Sequence, residues 1–190
     1  VKDRVVHQAV YNVIEPMFGR RFIFDSYSCR RNKGTHAASR RLQVFLLKAS
    51  RNNTQTVYSL KLDIRKFFDS VDHDVLLVLL RRHVQCDKAM AVLKNIVRSF
   101  GKDVRRGLPL GNLTSQLFAN VYMHELDHFV KHELRERHYL RYCDDFVVVS
   151  RDLGHLHDLL PRIHDFLRAH LKLSIHPRKV TFRTWNHGVD

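Results

Sequence analysis

The 190-residue sequence predicts an α+β domain, and three observations carry that prediction. Apolar residues recur with the 3.6-residue period of helices in several stretches, the longest being 113–134. Residues 57–63 alternate with the two-residue period of a half-buried strand. Two short apolar strands, 138–143 and 146–150, flank a pair of aspartates. With only 7 Gly and 4 Pro, no internal repeat and no low-complexity linker, the chain reads as one continuous compact unit.

In chain order, Val5, Val6, Ala9, Val10, Val13, Ile14 and Met17 mark a helix over 1–18. Residues 25–34 are polar and loop-like, and Thr35 is placed to cap a helix running to about residue 51. In the strand 57–63, Tyr58, Leu60 and Leu62 face one side and Ser59, Lys61 and Asp63 the other, which leaves a carboxylate at its exit. Helices over 72–84 and 87–100 follow, then the Gly/Pro-punctuated turn 107–111. The helix 113–134, the hairpin strands, an amphipathic helix over 153–171 and a basic strand-like tail, 179–185, complete the chain.

The charge balance narrows the partners. Lys and Arg total 33 against 19 acidic residues, a formal net charge of +14, with Arg twice as common as Lys. That favours the planar fork that grips phosphate, so a polyanion, most commonly nucleic acid, is the expected partner. No single basic amphipathic helix concentrates the charge and no apolar run spans a bilayer, so no membrane partner is expected. Three widely spaced cysteines, Cys29, Cys86 and Cys143, make neither a disulfide framework nor a CxxC pair, which fits a reducing, cytoplasmic setting. The chain opens at Val1 and stops at Asp190 without a cap or polar tail, and reads as a piece of something longer.

The chemistry centres on Asp144-Asp145, two adjacent carboxylates at a hairpin tip between apolar strands. Such a pair repels itself unless a cation compensates, although aspartate also suits turns for geometric reasons. Asp63 lies likewise at the end of a strand. If the strands are neighbours in an antiparallel sheet, Asp63 and Asp144 converge on the same pair of divalent ions, and hard carboxylate oxygens suit Mg²⁺ or Mn²⁺. Two such ions can activate a primer 3′-hydroxyl and stabilise departing pyrophosphate.

At this point the order of motifs resembles the fingers–palm region of a reverse transcriptase over nearly the whole chain. Tyr142-Cys143-Asp144-Asp145 matches the YxDD box; residues 62–73 resemble the first catalytic-Asp motif of group II intron and related bacterial enzymes; residues 26–36 resemble the fingers motif; and residues 175–179 resemble the motif after the last palm helix. The box after the Leu-Pro turn reads Leu110-Gly111-Asn112-Leu113-Thr114-Ser115-Gln116, where most relatives carry QGxxxSP. In this it is similar to the reverse transcriptases of diversity-generating retroelements, which copy a template RNA with errors at adenines.

The resemblance implies a right-hand polymerase core without its thumb: fingers over 1–55 and palm over 56–190, with a finger-like insert around 84–110. It implies RNA template, DNA or RNA primer and dNTPs as partners, two Mg²⁺ ions (or Mn²⁺) as cofactor, a basic accessory protein of the retroelement, a bacterial or phage origin, and weak or absent processive synthesis by a thumbless piece. Asp63 and Asp144 are implied as metal ligands with the Ile64 carbonyl, and Asp145 in support. Phe68 stands where an aromatic blocks a ribose 2′-hydroxyl. Arg30 and Lys33 match positions that grip the triphosphate, Leu110, Gly111 and Gln116 flank the nucleotide, and Lys179 matches the general acid for pyrophosphate.

Two readings from other classes stand beside this one. His124-Glu125-Leu126-Asp127-His128 satisfies the HExxH pattern of zinc metallohydrolases on a helix, with Glu125 as base. A non-catalytic RNA-binding module would satisfy the basic charge, but would have no reason to present Asp144-Asp145 to a polyanion.

Overall fold

The computed structural model describes residues 2–99, 105–109 and 111–185. Among the described residues seven α-helices pack around one four-stranded antiparallel sheet: α1 (Lys2–Gly19), α2 (Thr35–Ala49), β1 (Tyr58–Asp63), α3 (Phe67–Ser70), α4 (His73–Arg81), α5 (Asp87–Arg98), α6 (Leu113–His128), β2 (Tyr139–Tyr142), β3 (Asp145–Ser150), α7 (Leu153–Leu171) and β4 (Thr181–Thr184). The strand order is β2-β3-β1-β4. The predicted α+β class and small antiparallel sheet are therefore present. No helix among the described residues is long and apolar enough to cross a membrane.

Pleating explains the sheet's two faces. Leu60, Leu62, Phe146 and Val148 are fully buried in the main core, where they meet Tyr122 and Leu126 of α6 and Leu156, Ile163 and Leu167 of α7. Ile14 and Phe18 of α1 join the same core, so it draws on residues from both sides of the expected boundary at 55/56. A smaller cluster, Leu46, Ala49, Val57, Val147 and Val149, lets α2 cover the other face.

The structure revises several boundaries. Gly34, not Thr35, is the N-cap of α2, at φ 133°, and the Thr35 hydroxyl instead donates to the Tyr142 hydroxyl at 3.2 Å. The short helix α3 after β1 has no strong periodic signal; Lys66 enters it in the left-handed region at φ 45°. The helix predicted to reach residue 134 ends as α-helix at His128 and continues as a π-helical turn, Phe129–Glu133, with Phe129 stacked on Phe166 of α7 at 4.1 Å. The second hairpin strand begins at Asp145 rather than 146, so the turn is only Cys143-Asp144, with Cys143 at φ 57°.

Asp72 ties three helices together. Its Oδ1 accepts from the Asp74 and Val75 amides (3.1 and 3.0 Å), capping α4, while Oδ2 accepts from Lys172 Nζ at 2.7 Å beyond α7. The Tyr122 hydroxyl of α6 accepts from the Asp72 amide and donates to the Leu171 carbonyl. Burial pushes the Asp72 carboxyl up, but Lys172 and the two amides outweigh it and hold it below its ordinary value. The stabilisation is therefore complete above the ordinary carboxylate range and is lost as pH falls through the depressed folded value. Asp72→Ala is expected to cost about 1–2 kcal/mol at neutral pH. Urea unfolding of the two proteins should converge in acid.

Candidate active site

The hairpin β2–β3 and strand β1 bring the acidic groups to one end of the sheet. Asp63 is the register partner of Asp145, and Tyr142 closes the hairpin opposite Asp145 with Asp144 in the turn. Asp63 and Asp145 thus face each other across neighbouring strands, on the polar face that also carries Ser59 and Lys61. Sequence reading gives Asp144 the leading place beside Asp63; the observed register gives Asp145 the position opposite it.

Strand β4 and the turn before it close the other side. The Asp63 carbonyl accepts from the His176 amide at 2.8 Å, and Ile64 bridges to Ile175 with its side chain buried. Ile64 as a whole, backbone included, is only 1% exposed. Lys179 Nζ donates to Asp63 Oδ2 at 2.7 Å. Its pKa is raised first by that hydrogen bond and further by the charges of Asp63, Asp145 and Asp144, so all three carboxylates act on this one ammonium. The Asp145 carboxyl is pushed up by burial; Lys61 opposes this and the neighbouring Asp63 and Asp144 add to it.

Asp63 and Asp145 line a cleft of about 310 Å³ together with Lys61, Arg178, Lys179 and Arg183, whereas Asp144, in the turn, is not part of its lining. Cations along the walls with carboxylates at the base suit an anionic chain that must be drawn to an acidic centre. Among the described residues no three His, Cys, Asp or Glu side chains are grouped so that they could hold a metal ion. The Lys179 ammonium sits on one Asp63 oxygen, where it offsets the carboxylate charge.

Behind the turn lies a buried network that the sequence did not disclose. Arg141, in β2, is 1% exposed and Asp127, in α6, fully buried. Arg141 donates through Nε and Nη2 to the two Asp127 oxygens (2.8 and 2.7 Å), and the Tyr139 hydroxyl donates to Oδ1 at 2.7 Å. The same guanidinium reaches the Cys143 carbonyl at 2.7 Å, the Asn120 amide oxygen at 3.3 Å and Ser26 Oγ at 3.2 Å. Burial pulls the Arg141 pKa down, but Asp127 overrides it and holds the guanidinium charged. One cation thus ties α6, the 25–34 loop and the aspartate turn together. The Cys143 thiol is pushed up to about 12, by burial first and by Asp144, and stays protonated.

The loop residues expected to grip a triphosphate are placed differently. Arg30 donates to the Ile23 and Ser26 carbonyls (2.7 and 2.9 Å) and lies over the Phe22 ring, so it staples its own loop. Lys33 donates to the Phe24 carbonyl at 2.9 Å, above the rings of Phe24 and Tyr27. Neither lines the cleft. The loop itself is fastened to the edge of β2: the Tyr27 amide donates to the Arg141 carbonyl, and the Arg141 amide to the Asp25 carbonyl, each at 2.9 Å.

Phe68 is half-buried, edge-on to Phe67, and its carbonyl accepts from the Leu108 amide at 2.7 Å. Gly111 is exposed at φ 88° with open space where a Cβ would stand, so its conformation, not crowding, calls for glycine. Gln116 is half-buried in the first turn of α6. Leu110 lies outside the described residues. None of Phe68, Gly111 or Gln116 lines the cleft.

The HExxH pattern has another use here. Glu125 forms an ion pair with Arg82 at 2.8 Å, Asp127 belongs to Arg141, and His124 packs edge-on against Phe22. The His128 and His132 rings meet at a tilt, 4.6 Å between centroids and 44° between planes. The zinc hydrolase expectation is corrected accordingly: the helix uses these side chains for packing and charge pairing.

A small antiparallel sheet with paired aspartates at one end and helices packed against it is the architecture of a fingers–palm fold. Comparison with known proteins agrees. The family described as "Reverse transcriptase (RNA-dependent DNA polymerase)" matches residues 1–190, and the chain belongs to that family. Protein YkfC of Escherichia coli is 23% identical over 99% of this chain, and the group II intron-encoded protein LtrA of Lactococcus lactis is 25% identical over 67% of it. The chain spans 59% of the first and 21% of the second. Among solved structures, apo telomerase of Candida tropicalis truncated from its C-terminal domain superposes with a TM-score of 0.65 at 16% identity, covering 98% of this chain and 41% of that one. That likeness bears on the fold.

Proposed function

We propose that the chain is the fingers–palm core of a retroelement RNA-directed DNA polymerase, which extends a DNA or RNA primer on an RNA template with dNTPs. The observation that carries this reading is the pairing of Asp63 with Asp145 at the base of a cation-lined cleft. Crowded carboxylates around a single ammonium are hard-oxygen donors that fit Mg²⁺ or Mn²⁺. Asp63, Asp144 and Asp145, with the Ile64 carbonyl, would hold two ions, which when bound supply an activated 3′-hydroxyl and charge neutralisation at the pyrophosphate.

The chain's own residues do the rest. Lys61, Arg178 and Arg183 hold the sugar–phosphate backbone and triphosphate against the cleft wall. Lys179, charged beside Asp63, transfers its contact and then its proton to the leaving pyrophosphate. Arg30 and Lys33 serve by holding the loop at the edge of β2. Phe68 at a ribose 2′-hydroxyl and Gly111 and Gln116 beside the incoming base are the roles the family resemblance supplies, and they require the nucleotide to extend beyond the cleft, which none of the three lines.

The finer reading is a diversity-generating element with error-prone copying at template adenines and a basic accessory protein. It rests on the box from Leu110 to Gln116, because Leu110 offers contact area where an amide would offer a directional hydrogen bond. A group II intron type of element is the second reading, favoured by the intron-encoded relative. Primer extension by the full protein on an RNA template tests the proposal. Deoxynucleotide addition should require a divalent ion, stop with chelator, and be lost in Asp144→Asn. Leu110→Gln should lower misincorporation opposite adenine about tenfold, the scale of one hydrogen bond's discrimination. Unchanged fidelity would favour the intron reading, and no RNA-templated synthesis by the wild type would end the proposal.

A further inference from the structure

A second cleft, about 510 Å³, opens at the far end of the sheet. It includes Ser150, five residues along β3 from Asp145, which places it roughly 17 Å from the carboxylates at about 3.3 Å per residue. Its lining is strongly basic: Lys48 at the end of α2, Arg51 in the following turn, Arg135 and Arg137 before β2, and Arg151 after β3. All five are exposed. Lys48, Arg51, Arg135 and Arg137 form no ion pair among the described residues, and Arg151 donates only to the Gln55 side-chain oxygen.

The one acidic side chain in the lining, Glu136, is buried and turned onto His155 Nε2 at 2.8 Å, so it leaves the cluster largely unneutralised. His138, at the same rim, reports the resulting field: its pKa is lowered by burial first, and then by Lys131, Lys48, Arg137 and Arg41. Four of the five cations are arginines, whose forks match phosphate oxygens. None of the exposed large apolar residues lines this cleft, so nothing there could wedge into a lipid leaflet.

We propose that this cleft binds the phosphodiester backbone of a structured RNA stem, at a site separate from the template–primer cleft. The proposal rests on the polymerase reading only for the choice of RNA among polyanions. The stem it holds lies outside the stretch being copied, so the cleft keeps the RNA attached while the template moves through the acidic centre.

Fluorescence anisotropy on the full protein tests this, with a labelled RNA stem-loop of about 20 base pairs as probe. A short unlabelled template–primer is kept in saturating excess to fill the catalytic cleft. Wild-type protein should still bind the probe. Lys48→Gln, Arg51→Gln, Arg135→Gln and Arg137→Gln together should weaken binding about tenfold or more near physiological salt. They should also flatten the log K against log salt slope by about 3.6, from roughly 0.9 for each of four lost phosphate contacts. The rate of nucleotide addition on the short template–primer should stay within about twofold, because the substituted residues lie at the other end of the sheet. If the fourfold variant also loses that rate, Arg135→Gln with Arg137→Gln replaces it, with about half the slope change expected. Unchanged affinity and slope would overturn the proposal, as would full displacement of the wild-type probe by the template–primer. Charge-dependent binding to phosphatidylserine vesicles without charge-dependent binding to the stem-loop would overturn it in favour of a membrane. Charge-dependent stem-loop binding by a wild-type protein that adds no nucleotides would leave this site standing and overturn the polymerase reading instead.

Discussion

Asp63→Asn and Asp145→Asn should each lower primer extension about a thousandfold or more, the scale of several kcal/mol of lost charge stabilisation at a metal-assisted displacement. The two should differ in stability. Asp63 has a compensating partner in Lys179, whose side chain is more than half exposed, so losing that pair changes stability little. Asp145 is pushed up by burial and by two carboxylate neighbours, with Lys61 in opposition. Removing its charge relieves like-charge repulsion, so Asp145→Asn should raise the thermal midpoint in Mg²⁺-free buffer even as it abolishes synthesis. An inactive but stabilised variant is what a functional site under electrostatic strain predicts. Calorimetry with and without Mg²⁺ checks this, since added ion should stabilise the wild type and not the variant. A wild-type midpoint indifferent to Mg²⁺ would contradict the assignment of these carboxylates.

The same site shows what a sequence can disclose. The alternation of 57–63 placed Ser59, Lys61 and Asp63 on one face, and those side chains do line the cleft together. Period and order were legible because pleating leaves a two-residue signature. Register was not: starting the last hairpin strand one residue late left both aspartates in the turn, whereas Asp145 pairs with Asp63. Register is decided by partners distant in sequence. Arg30 matches a triphosphate-gripping position through the resemblance, but its partners in the fold are backbone carbonyls, which no residue pattern marks. The second basic cleft escaped notice for a related reason, since residues 48, 51, 135, 137 and 151 meet only after the sheet has formed.

Arg141→Met should cost about 3–5 kcal/mol of stability, the usual consequence of removing one partner of a buried ion pair. The loss is not confined to Asp127. The Cys143 carbonyl, the Asn120 side chain and Ser26 Oγ lose a donor as well. Arg141→Met with Asp127→Leu removes both charges, and buried pairs replaced by apolar groups of similar size are often neutral, so much of the stability should return. Activity should not return with it. The guanidinium bond to the Cys143 carbonyl fixes the turn that carries Asp144, and methionine offers that carbonyl nothing. Arg141→Lys keeps the charge but has a single head where the native fork addresses both Asp127 oxygens and the Cys143 carbonyl. It should fold and yet lose about 10- to 100-fold in extension, the range for residues that orient a metal ligand through hydrogen bonds. The diagnostic readout is the Mg²⁺ concentration giving half-maximal rate. A network that aims the aspartate turn requires this concentration to rise in the lysine and the double variant, even where unfolding midpoints are near wild type. A purely structural network predicts that extension recovers in step with stability and that the Mg²⁺ requirement does not move.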